Sequence, residues 1–264
     1  RWGGDEFLLL LPGTGADRTQ KICERIRNMC FEHKWEPIEL SIAMGTATQE
    51  VPGMDFSELF AKAEAQMYTR KTEEASRVKW RILASLEKTL ASRCDEKEEH
   101  AANMVELAAR LWTASKPVKG DLVNLKLAAR LHDIGKVSLA GYLFEKKGTL
   151  TAAEWDMVKR HSEAGYRAAK ALDMHEVAMI ILSLHERWDG NGYPQGLRGE
   201  QIPLESRIIS IVETYDVLTR GKSYKEPVSP AVALKVIAQN AGTQFDPFLV
   251  ERFNSIIPEA GDRR

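Results

Sequence analysis

Cysteine is scarce in this 264-residue chain, and the three copies, Cys23, Cys30 and Cys94, show no paired C-x-x-C spacing. An odd, scattered set argues against a disulfide framework and a thiolate zinc site, and it fits a reducing compartment such as the cytoplasm. Net charge is also nearly absent, because 37 basic side chains face 38 acidic ones. No global field is available to hold DNA, RNA or an acidic membrane, so an anionic ligand has to be gripped locally. Long apolar runs are missing: stretches such as Val177 to Leu184 fall far below the roughly 18 residues that a membrane span requires. Glycine and proline do not occur from Met54 to Ser115, which predicts long uninterrupted helix there. What is present is 44% hydrophobic residues, enough to build real cores, so disorder is not expected.

The first part of the chain reads as mixed α/β. Gly3-Gly4 permits a tight hairpin tip, Phe7 to Leu11 reads as a buried strand closed by Pro12-Gly13, and Ile38 to Ala47 reads as a second strand. Between them, Ile22, Ile26 and Met29 recur at helical spacing within 17–33. A further helix is expected over Phe56 to Lys71, continuing into an amphipathic connector with Trp80, Ile82, Leu83, Leu86 and Leu90 that packs on a neighbouring domain or a second chain. Beyond Asp95 helix follows helix, with short turns and one longer Gly/Pro-rich loop from Asp189 to Pro203. The expected fold class is therefore mainly α: an all-α domain over 96–264, preceded by a partial α/β domain over 1–75 and a helical linker over 76–95.

Histidine is rare, with six copies, and four of them (His100, His132, His161 and His185) sit in polar or acidic contexts of the helical part. Glu96 and His100 are four apart, so on a helix both emerge from one face, a spacing that suits two ligands of one metal cluster but also an ordinary solvated pair. The string His132-Asp133-Ile134-Gly135-Lys136 is more telling, because two adjacent metal-competent side chains follow the buried-looking helical run Ala128 to Leu131. A carboxylate beside a histidine in such surroundings needs a cation or hydrogen bonds to offset desolvation. Lys136 is one turn beyond His132, placed to contact a phosphate, and Gly135 lets another backbone approach closely. His33 and His175 lie away from every motif and are expected at the surface.

These residues resemble the HD-GYP family, bacterial cyclic di-GMP phosphodiesterases within the HD phosphohydrolases. The marks run in order: Glu96 with His100, then the 132–136 motif, His161, His185-Glu186, Asp189-Gly190-Asn191-Gly192-Tyr193-Pro194, and Glu213-Thr214-Tyr215-Asp216. The resemblance implies a centre of two or three divalent metals, iron or manganese, and in-line attack on the phosphodiester by a bridging hydroxide. It implies His100, His132, Asp133, His161, His185 and Glu213 as ligands, with Glu96 joining a third metal. Asp133 and Lys136 would be the catalytic residues, and Lys136, Arg187, Tyr193, Lys222 and Lys225 would grip cyclic di-GMP, cleaved to pGpG and onward to GMP. The chain departs from the pattern at Leu184, where the family has a second histidine, at Glu213, where it has Asp, and at Lys222-Ser223-Tyr224, where it has Arg-Pro-Tyr. Asp216 is a structural residue or a substitute ligand, and Trp188 is framework or a stacking surface for a base. A nucleotide receptor without turnover, and a hydrolase for another cyclic dinucleotide or a nucleoside phosphate, are the rival readings.

The opening Arg1-Trp2-Gly3-Gly4-Asp5-Glu6-Phe7 resembles the GGDEF diguanylate cyclase signature, and the likeness continues to Ala63-Glu64-Ala65-Gln66-Met67 and Lys71. It implies metal binding at Asp5, close approach of a nucleotide at Gly3 and Gly4 beside Glu6, phosphate contact at Lys71, and GTP as partner of an intact domain. The half of that domain which precedes the motif lies outside this sequence, so cyclic di-GMP synthesis is not expected from residues 1–75 alone. A homodimer through the connector helix is expected.

Overall fold

The structure, a computed structural model, describes residues 1–32, 42–49, 53–94, 98–146, 148–221 and 226–257. The chain divides into two compact units, Arg1–Ile82 and Leu83–Arg264. Among the described residues no helix is long and apolar enough to cross a membrane.

In the first unit Gly4 adopts φ 49°, and the amide of Glu6 reaches the carbonyl of Gly3 at 2.7 Å, so the glycine pair does form a tight turn. Helix α1 (Ala16–Glu32) follows, and α2 (Phe56–Cys94) runs unbroken for 39 residues, as the lack of glycine and proline predicts. Segment 42–49 lies along α2. Gln66 accepts from the Thr46 amide at 2.6 Å, Arg70 donates to the Met44 carbonyl at 3.1 Å, and a Cβ on Gly45 would fall 1.8 Å from the Ala63 carbonyl oxygen.

The strand expected over Phe7 to Leu11 does not form; the described residues hold only an isolated bridge between Gly3 and Glu6 here. A strand needs a ladder partner, and without one Phe7, Leu9 and Leu10 stay exposed. The second expected strand is absent over 42–47, and its positions 38–41 lie outside the described residues. The mainly α class holds, while the α/β character of the first unit does not appear among the described residues.

The second unit is all helical. Leu83 and Leu90, late in α2, are buried in it. They are followed by α3 (Glu98–Ser115), α4 (Leu122–Leu131), a 3₁₀ turn (Ile134–Ser138), α5 (Tyr142–Glu145), α6 (Ala152–Lys159), α7 (His161–Ala171) and α8 (His175–Leu182). A second 3₁₀ turn (Gly199–Gln201), α9 (Leu204–Arg220), α10 (Pro230–Gln239) and α11 (Pro247–Ile256) complete it. Helix α3 packs against α4, α9 and α11, α4 against α8, and α7 against both α8 and the first 3₁₀ turn. The core is aliphatic, with Met104, Leu111, Leu125, Ile181, Ile208, Ile209 and Ile211 fully buried, each worth about 1.5–3 kcal/mol in area removed from water.

Helix starts carry local signals. Asp121 caps α4, and Ser229 and Asp246 cap α10 and α11 with proline at the first helical position. Thr151 and Glu154 form a capping box on α6. The Glu154 carboxyl is lowered to about 2 by the Lys146 ammonium and the Thr151 amide and hydroxyl.

Candidate metal centre

The centre is assembled at helix ends. Helix α4 buries Leu125, Ala128, Ala129 and Leu131, and His132 is its C-terminal cap. Asp133 then takes φ −99°, ψ 8°, the bridge region where the chain leaves the α conformation, and opens the 3₁₀ turn that carries Lys136. His132 and Asp133 are both buried, at 4% and 3% exposure, which makes their protonation and partners decisive.

Three imidazoles are held the same way. His132 donates Nδ1–H to the Ala129 carbonyl at 2.9 Å, and His161, the first residue of α7, donates Nδ1–H to the Val158 carbonyl at 2.6 Å. A carbonyl oxygen can only accept, so the proton is on Nδ1 and Nε2 keeps its lone pair. His100 on α3 gives its Nδ1 to the Asp216 carboxylate at 2.5 Å. The Nε2 atoms then converge: His100 Nε2 lies 3.3 Å from His132 Nε2, and His161 Nε2 lies 2.9 Å from His185 Nε2. Asp133 links the two pairs, with Oδ2 3.2 Å from His132 Nε2 and Oδ1 4.0 Å from His161 Nε2. Glu213 on α9 completes the set, since one ligand atom each from His132, Asp133 and Glu213 lie within 4.8 Å of one another.

The Nε2 lone pairs of His100 and His132 face each other, His161 and His185 share at most one proton between their Nε2 atoms, and carboxylates beside them add negative charge. A divalent cation satisfies all of them at once, so the residues present fit such an ion. Burial lowers the pKa of His185 to about 4, with Glu213 opposing, and lowers that of His161, with Asp133 opposing. Both rings are therefore neutral near pH 7, the state in which imidazole ligates. Lys136 Nζ pairs with Asp133 Oδ2 and places a cation at the mouth of the same group.

Tyr193 stacks on His185, with ring centroids 5.0 Å apart and planes 15° apart, and its amide donates to the His185 carbonyl at 3.2 Å. Burial, then the Glu213 and Asp133 carboxylates, raise its phenol pKa. The half-exposed indole of Trp155 meets Tyr193 edge-on at 6.4 Å.

The loop that carries Tyr193 is held by Glu186, a residue the sequence marks only as a neighbour of His185. Its carboxylate is 4% exposed and accepts the amides of Gln195 at 2.7 Å and Leu197 at 3.0 Å. Glu186→Ala takes the charged acceptor from the part-buried amides of Gln195 and Leu197 and is expected to cost about 2 kcal/mol. Denaturant unfolding checks the loss, and limited proteolysis should place new cleavage within 189–197; unchanged stability would refute the role.

Arg187 forms a two-point pair with Asp189, at 2.9 and 3.2 Å, which holds the Asp189 carboxyl at about 2. Its guanidinium is thus already bound to a neighbour two residues on. Trp188 lies under the Arg207 guanidinium, 5.7 Å from the ring centroid, and its backbone amide donates to the Gln244 carbonyl at 3.1 Å, a framework position. Leu184 is 2% exposed and belongs to the hydrophobic core. His175 is exposed beside Asp173. Glu96, Lys222 and Lys225 lie outside the described residues, as does His33. In the first unit Gly3, Gly4, Asp5, Glu6 and Lys71 are all exposed.

Fold and geometry define a helical protein with a buried His/Asp/Glu centre able to hold a divalent metal beside a lysine. The HD domain family model matches residues 84–249, and the chain belongs to that family. Residues 1–77 match the model of the diguanylate cyclase GGDEF domain.

Among similar proteins is the cyclic di-GMP phosphodiesterase response regulator RpfG of Xanthomonas campestris, 36% identical over 159 residues, covering 59% of this chain and 40% of that protein. A cyclic di-GMP phosphodiesterase of Thermotoga maritima is 30% identical over 170 residues, covering 63% of this chain and 46% of that protein. The 3'3'-cGAMP-specific phosphodiesterase 2 of Vibrio cholerae is 31% identical over 173 residues, covering 64% of this chain and 33% of that protein. The chain thus spans less than half the length of each of these relatives. A solved cyclic GMP-AMP-specific phosphodiesterase from V. cholerae superposes with TM-score 0.51 at 24% identity, over 65% of this chain and 47% of that one, a likeness of fold.

Proposed function

We propose that the helical unit is a metal-dependent phosphodiesterase that hydrolyses cyclic di-GMP to pGpG and onward to GMP. The observation that carries this reading is the convergence of His100, His132, His161 and His185 nitrogens with Asp133 and Glu213 oxygens. The names of the similar proteins add the substrate class, a cyclic dinucleotide. In this reading two or three divalent ions, iron or manganese, are held by those six residues, with Glu96 reaching a third.

A bound divalent metal supplies a water nucleophile at neutral pH and positive charge against the phosphodiester. The chain's own residues do the rest. Asp133 lies between the two histidine pairs and keeps them at a fixed separation. Lys136 leans from Asp133 toward a substrate phosphate and offsets charge that develops on its oxygens. Tyr193 walls the site beside His185, and the exposed edge of Trp155 extends that aromatic surface toward a base. Lys222 and Lys225 would grip the second phosphate, and Arg187 would act through Asp189 and the loop.

The same reading includes GTP at an intact GGDEF domain, with Gly3, Gly4, Asp5, Glu6 and Lys71 facing it. It also includes a cytoplasmic setting and a second copy of the chain along α2, where Val78, Trp80 and Ile82 are exposed. The deciding experiment joins metal analysis of the purified protein to a turnover assay with cyclic di-GMP and 3'3'-cGAMP side by side. Turnover of cyclic di-GMP by metal-loaded protein is the expected result, and metal-loaded protein that cleaves neither nucleotide would refute the reading. A second reading, a receptor that binds without cleaving, is favoured by Leu184, whose place in the core leaves that position without a ligand. Saturable binding with no turnover under reducing conditions with iron or manganese would select it.

A further inference from the structure

We infer that Asp216 is the residue that positions His100, holding its Nδ1–H so that Nε2 is presented to the metal centre, and that Asn103 and Arg220 hold Asp216 in turn. The inference rests on the proposed metal centre and adds a residue that acts on it through a ligand.

Glu213 and Asp216 lie one turn apart on α9 and do different work. A Glu213 oxygen joins the group formed with His132 and Asp133, whereas Asp216 is not a member of that group. Asp216 is 1% exposed, and both its oxygens are engaged. Oδ2 accepts from His100 Nδ1 at 2.5 Å, and Oδ1 accepts from the Asn103 side-chain amide and from Arg220 Nε at 2.9 Å. The Arg220 guanidinium also donates to the Glu99 carbonyl at 3.0 Å, tying the end of α9 to the first turn of α3, where His100 sits. The Asn103 amide and the Arg220 guanidinium can only donate, so the carboxylate that takes both is held as an acceptor. An ionised carboxylate can only accept, so His100 carries its proton on Nδ1, and its Nε2 lone pair faces His132 Nε2 at 3.3 Å.

The donor arrangement makes Asp216→Asn informative. Two donors, one of them cationic, converge on the Oδ1 side, so the amide oxygen of the variant turns toward Asn103 and Arg220. Its NH₂ group then faces His100 Nδ1, which must become an acceptor, and the proton moves to Nε2. The ligand atom is blocked while volume and packing are kept.

The test uses the full chain. In the wild type, nitrogen-15 NMR of the metal-free protein should find His100 as the Nδ1–H tautomer, and in Asp216→Asn as the Nε2–H tautomer. Manganese affinity should fall about 10- to 100-fold in Asp216→Asn. In a His100→Ala background the same substitution should change affinity less than about 2-fold, because its effect travels through the ring already removed. Additive losses in the double variant would overturn the proposal, since packing of α9 on α3 predicts them. Should Asp216→Asn fail to fold, the wild-type tautomer decides alone: a proton on Nε2 of His100 overturns the proposal. A wild type that binds no manganese yet shows the Nδ1–H tautomer would sink the metal reading and leave the positioning role standing.

Discussion

Asp133→Ala is expected to lose bound metal and to lower cyclic di-GMP turnover on the order of 10³-fold or more. The carboxylate lies within 4.0 Å of a histidine of each pair, so its removal is expected to affect both sides of the site instead of one edge. A metal contributes several kcal/mol to such a reaction, and each ~1.4 kcal/mol is tenfold in rate, which sets the expected scale. Stability should change far less. Lys136 loses its pairing with Asp133, but that side chain is 18% exposed and can turn to water, so no cation is stranded in the core. Asp133→Asn separates charge from shape: it keeps the volume, loses the negative ligand, and should track the alanine variant in metal content. Elemental analysis, turnover and thermal unfolding on the same preparations check all three statements. Loss of metal with unchanged hydrolysis would exclude this centre as the place of the chemistry.

The parts of the molecule set by local rules were the legible ones. Helical spacing predicted 17–33 and the long helix from Phe56, and the helices observed are Ala16–Glu32 and Phe56–Cys94. The 132–136 motif was legible because a helix buried by Ala128, Ala129 and Leu131 runs straight into two metal-competent side chains. What a linear pattern cannot show is which distant groups meet. His100 and Asp216 are 116 positions apart, and nothing in the spacing of either says that one carboxylate on α9 serves a ring while Glu213, one turn away, faces the centre.

The role of Glu186 was hidden for a related reason: its partners are backbone amides, which leave no mark in residue identity. Phe7 to Leu11 failed in the opposite direction. Its apolar pattern suits a strand, but strand formation depends on a neighbour to pair with, and none is found among the described residues. Arg187 shows a third limit, since a basic residue beside a site suggests a phosphate while Asp189, two residues on, already occupies it.

Gly135→Ala is expected to destabilise the protein by about 3 kcal/mol and to weaken metal binding with it. The glycine inside the motif is there for space, not for an unusual backbone angle. A Cβ at 135 would sit 1.9 Å from the His161 carbonyl oxygen and 2.5 Å from the Gly165 amide nitrogen. Both are backbone atoms of α7, so no rotamer change can relieve the overlap, and the 3₁₀ turn and the helix must separate. Separation moves His161, the first residue of α7, away from Asp133 on the other side of the contact, and couples a packing defect to the ligand set. Gly165→Ala offers the control. Its nearest obstacle is the Cγ2 methyl of buried Ile181 at 2.8 Å, a side-chain atom and not backbone, so a smaller cost of about 1–2 kcal/mol is expected. Denaturant unfolding of the two variants should give that order. A Gly135→Ala protein as stable as Gly165→Ala would show that the turn and helix can part freely, and that the motif's glycine does not set the separation of Asp133 from His161.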